Sequence, residues 1–87
     1  MAKKFIINDG NLILGDVEYH SELSKNNSKT IGGGHWRIDH DEEILYLYGK
    51  SIEFGPVSEK EIELSNKPDS IYGYAIKYCG LITLLNF

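Results

Sequence analysis

Only one cysteine, Cys79, stands in the 87 residues, so no disulfide can close within the chain. The usual staple of small secreted domains is missing, and a reducing, cytoplasmic setting is the expectation. Long apolar runs are missing too. The opening Met1-Ala-Lys-Lys-Phe-Ile-Ile is broken at Asn8-Asp9-Gly10, and the longest later run is Leu81-Ile-Thr-Leu-Leu85. Neither reaches the length of a signal core or a membrane span, so no membrane association is expected. Basic residues are in deficit, with 9 Lys and Arg against 13 Asp and Glu, for a formal net charge of −4. Without a basic stripe to replace phosphate counterions, nucleic acid is excluded as an expected partner. Metal-ligand spacing is absent as well. No pair among His20, His35 and His40 has the spacing of helical ligands, and Cys79 is remote, so neither metal nor cofactor is expected.

What is present is the composition of one small folded domain, residues 1–87, with 41% apolar residues and six tyrosines. The clearest local signal is Phe5–Asn8, Asp9-Gly10, Asn11–Leu14. Asp-Gly between two β-rich runs predicts a two-residue type I′ hairpin, because both turn residues need positive φ. Gly15-Asp16 is read as ending that strand, with Asp16 capping a short, half-buried helix from Val17 to about Ser24. Lys25–Thr30 is a polar turn, and Ile31–Gly34 reads as a loop running into a strand at Trp36–Asp39. The charged turn His40–Glu43 then leads to Ile44–Tyr48, an apolar strand expected to pair with it as a hairpin and to lie centrally in a sheet.

Continued extension past Gly49 sends Ile52 and Phe54 to the core, and Ser51 and Glu53 to the opposite face. Ser58-Glu-Lys-Glu61 has the capping-box pattern, which predicts a second helix over Ser58–Ser65. Ile71–Tyr78 and Leu81–Leu85 read as further strands. The sum is an α+β domain, a mixed β-sheet with two short helices. Tyr72, Tyr74 and Tyr78 share one parity. That tyrosine face, or the run from Leu81, is the candidate surface for a weak homodimer, a monomer being the other expectation.

Three features carry candidate chemistry. Gly32-Gly33-Gly34 offers bare backbone N–H groups, Ser51 offers a hydroxyl, and His20 offers a proton acceptor near neutral pH. Together they are a minimal kit for handling a phosphoryl group. Glu18-Tyr19-His20, Gly32-Gly33-Gly34, Tyr48-Gly49-x-Ser51-x-x-Phe54-Gly55-Pro56 and Ser58 with Ile62 together resemble the Janus/Ocnus family of phosphohistidine-phosphatase-like proteins. The resemblance covers residues 17–23 and 32–64.

It implies a phosphohistidine-phosphatase-like fold, a mixed sheet with helices on its two faces, working without metal or a covalent phosphoenzyme. It implies that His20 is the general base activating water. Gly32, Gly33 and Gly34 would face the phosphate, Ser51 would donate to a phosphate oxygen, and Lys4 would lie on the substrate side. The implied partner is a phosphorylated small molecule or a phosphohistidine protein.

Two positions depart from the family pattern. His35 follows the glycines where the family has arginine; Arg37 lies two residues further along the same strand face, about 6.7 Å away. Glu53 replaces a small residue beside the phosphate. A carboxylate about 6 Å from one phosphate charge costs roughly 3 kcal/mol at an effective dielectric of 20, unless Lys50 or Arg37 neutralises it. These departures set a second expectation beside the enzyme: a catalytically silent module that keeps the scaffold and binds a peptide, a partner protein or a small anionic ligand.

Overall fold

The computed structural model describes residues 1–81. Five strands form one mixed sheet in the order β2-β1-β3-β4-β5. They are β1 (Ala2–Asn8), β2 (Asn11–Val17), β3 (Thr30–Asp39), β4 (Ile44–Tyr48) and β5 (Ala75–Tyr78). Every pairing is antiparallel except β4 with β5, which run parallel. The β1–β2 hairpin closes through Asp9 (φ 50°) and Gly10 (φ 79°), the positive-φ pair that Asp-Gly supplies at little steric cost. The β3–β4 hairpin forms as expected, and β4 lies inside the sheet between β3 and β5.

Helix is sparse among the described residues. There is one α-helix, α1 (Glu59–Leu64), and three short 3₁₀ turns. α1 begins as its sequence predicts: Ser58 Oγ accepts from Glu61 N–H at 3.1 Å while Glu61 Oε1 accepts from Ser58 N–H at 2.8 Å. The helix expected from Val17 does not form. β2 continues through Val17, and only a 3₁₀ turn at His20–Leu23 follows.

Cross-strand register sends Phe5, Ile7, Leu45 and Leu47 to one face of the sheet, where Val57, Ile62 and Ile71 cover them. This is the main core. Ile6 and Asn8 point to the other face, where they are buried beneath residues 18–30. Asn8 ties that segment down, its Nδ2 donating to Asn26 O at 2.9 Å and Thr30 Oγ1 at 2.8 Å.

Three further readings are corrected. The triple glycine is no loop: Gly32, Gly33 and Gly34 are buried in the middle of β3 and pair with Ile7, Ile6 and Phe5. A Cβ on Gly33 would stand 2.3 Å from Phe5 O and one on Gly34 2.5 Å from Tyr48 O, so neighbouring backbone makes these positions glycine. The chain past Tyr48 is not extended. Gly49 (φ 71°) and Gly55 (φ 81°) bracket a tight turn that inverts the expected alternation. Ser51 is 1% exposed and Ile52 is 95% exposed.

The third correction concerns the expected strand from Ile71, which starts only at Ala75. Ile71 is buried in a 3₁₀ turn, Tyr72 lies in solvent, and Tyr74 and Tyr78 pack against the core. Of the expected strand Leu81–Leu85, Leu81 lies in a turn and residues 82–85 fall outside the described residues. No helix among the described residues is long and apolar enough to cross a membrane.

Candidate functional site

On the sheet face opposite α1, Lys4 of β1 and His35 of β3 are direct cross-strand partners. They form the floor of a cavity of about 390 Å³. One wall is the segment Glu18–His20 running into the 3₁₀ turn; the other is Lys50, Ile52 and Glu53. Glu53 joins the two walls, its Oε1 accepting the Ser21 N–H at 3.1 Å.

His20 enters this cavity from the 3₁₀ turn and is only 4% exposed. Its Nε2 lies 2.7 Å from Gly34 O. A carbonyl oxygen can only accept, so Nε2 carries the proton and Nδ1 keeps the lone pair. Burial pushes the imidazole below its ordinary value; the bond to Gly34 O opposes this, and the nearby Lys4 and His35 reinforce it. At neutral pH the ring is therefore neutral, oriented and able to accept a proton. His35 meets it edge to face at a centroid distance of 5.6 Å and lies 5.9 Å from the Tyr48 ring. Gly33 makes room for this packing: a Cβ there would come 3.3 Å from His20 Cδ2.

The charged groups are arranged in opposition. Lys4 Nζ donates to Glu18 O and lies 6.0 Å from the Tyr19 ring centroid. Lys50 has no hydrogen-bond or ion-pair partner among the described residues and contributes the second positive charge. Glu53 is neutralised by neither Lys50 nor Arg37 through an ion pair. Instead Ser21, by its side-chain hydroxyl first and its N–H second, holds the carboxyl below the usual range, with help from the neighbouring His20.

Of the residues singled out in the sequence, His20, Lys4, His35 and Glu53 meet at this cavity. Ser51 does not line it. Its side chain is buried in the turn it begins, with Oγ accepting the Phe54 N–H at 3.0 Å. The Gly33 N–H is not offered to the cavity either: it donates to Gly55 O at 3.0 Å, while Gly33 O accepts the Ser51 N–H at 3.0 Å. Arg37 lines a neighbouring hollow of about 740 Å³ with Lys3, Asp16 and Trp36; the two hollows share His35. Among the described residues no three His, Cys, Asp or Glu side chains come together in a metal-ligating group.

Sequence reasoning missed Tyr19, Lys50 and Ile52 as parts of the site. The positive φ of Gly49 was the missing signal, because it turns residues 50–53 toward His20 instead of along β4. No family model, curated protein or solved structure matches the chain.

Proposed function

We propose that the cavity at His20 receives the phosphoryl group of a phosphorylated ligand and that His20 is the general base for hydrolysis of its phosphoramidate bond. The observation that carries this reading is the fixed tautomer of His20. A neutral imidazole with Nε2–H anchored on Gly34 O leaves Nδ1 as the acceptor of a ring that lines the same cavity as Lys4 and Lys50. In the reaction Nδ1 takes a proton from water as the water oxygen bonds to phosphorus. The P–N bond breaks, the leaving nitrogen takes a proton from solvent, and Nδ1 releases to solvent the proton it took, which restores the neutral base.

Negative charge spreading over the phosphoryl oxygens in the transition state is met by the Lys4 and Lys50 ammonium groups. Gly33 and Ser51 serve one step back. The first clears the space His20 occupies, and the second holds the turn that carries Lys50 and Glu53. The ligand is a phosphorylated small molecule or a protein phosphohistidine, and the resemblance to the Janus/Ocnus family supports the same chemistry.

One observation favours a second reading, the catalytically silent module. The Ser51 hydroxyl and the Gly33 N–H, which the resemblance assigns to the phosphate, are both used within the fold. Side-by-side assay of wild type and His20→Ala on phosphohistidine, with folding checked by circular dichroism, separates the two. Turnover that the substitution abolishes supports the enzyme. Phosphate binding without turnover in either protein supports the module.

A further inference from the structure

Ile52 is the most exposed large hydrophobic side chain among the described residues. A branched apolar side chain is 95% exposed on a turn that cannot easily bury it. Single exposed hydrophobics are ordinary, but this one has a partner and a fixed place. The turn that carries it is closed at both ends, Gly55 N–H donating to Ser51 O at 2.8 Å and Ser51 N–H donating to Gly33 O on β3 at 3.0 Å. Tyr19, 58% exposed, stands on the other wall of the same cavity. Glu53, next to Ile52, bonds to Ser21 two residues beyond Tyr19, so both walls are held together across the cavity. An ionic floor is thus rimmed by two exposed apolar groups on latched walls.

We propose that Tyr19 and Ile52 are specificity-determining residues that clasp an aryl or alkyl group joined to the phosphoryl centre, so that the site selects organic phosphoryl compounds with an apolar body over inorganic phosphate. The proposal rests on the phosphoryl reading above and adds the class of ligand. Two apolar side chains over a polar floor reward a ligand with the same division: an anionic head for Lys4 and Lys50, and a ring or chain to take from water the surface that Tyr19 and Ile52 expose. A small anion engages Lys4 and Lys50 alone and leaves Tyr19 and Ile52 wet.

Calorimetric titration with benzylphosphonate, methylphosphonate and inorganic phosphate, at a pH where the two phosphonates are dianions, tests this without any turnover. The expected result is benzylphosphonate binding about tenfold or more tighter than methylphosphonate. That ratio should collapse toward one in Ile52→Ser and in Tyr19→Ala. Both side chains are exposed, so the fold tolerates their loss. Equal affinity for the two phosphonates in wild type, or a ratio the substitutions do not move, would overturn the assignment while leaving the phosphoryl site standing. No binding of any of the three at millimolar concentration would overturn the phosphoryl reading and this proposal together.

Discussion

His20 is the residue on which local chemistry and fold meet. Its imidazole is held below the ordinary value near 6.5, first of all by burial. The unfolded chain therefore binds a proton that the folded one refuses, and stability should rise with pH across that interval. The sign is definite: the contribution is complete above the ordinary histidine value and is lost as pH falls below it toward the folded value. Urea titrations from neutral to mildly acidic pH should show this loss in wild type. His20→Asn, which does not titrate, should show a flatter profile over the same interval.

Gly33 gives the opposite kind of residue effect, one that is purely steric. A Cβ 2.3 Å from Phe5 O meets backbone that cannot rotate away. Gly33→Ala should destabilise by about 2 kcal/mol or more, read from the denaturation midpoint.

At the scale of elements, legibility followed locality. Asp9-Gly10 and Ser58-x-x-Glu61 state their structures within four residues, so the β1–β2 hairpin and the start of α1 could be read directly. Ser58→Ala should cost about 1 kcal/mol, because it leaves the Glu61 N–H without its acceptor. β3 was illegible through Gly32–Gly34, since glycine disfavours strands and what holds it there is the approach of Phe5 O and Tyr48 O from other strands. The Ser51–Gly55 turn was misread for a related reason. Alternation predicts side-chain direction only while the backbone stays extended, and Gly49 ends the extension. The 3₁₀ turn at His20 replaced a helix because β2 used Gly15–Val17 for pairing with β1.

Across the whole molecule, the sheet separates the work of folding from the candidate site. One face carries the main core under α1; the other carries Ile6 and Asn8 under residues 18–30, and, beside them, the cavity. The residues at that cavity come from β1, the segment before the 3₁₀ turn, β3 and the turn after β4. Such a convergence of distant segments hid Tyr19 and Ile52 from the sequence; Lys4 was assigned to the site only through the family resemblance, and Lys50 entered only as a candidate counter-charge to Glu53.

The most direct test of the account is the rate of phosphoramidate hydrolysis against pH, corrected for the spontaneous reaction, for wild type and His20→Ala. With His20 as the base, a protein-dependent rate should hold through neutral pH and fall only below the ordinary histidine value, when His20 takes up its proton. His20→Ala should lose at least about a hundredfold in that rate. A rate that is the same in both proteins, or no protein-dependent rate at any pH, would contradict His20 as the base.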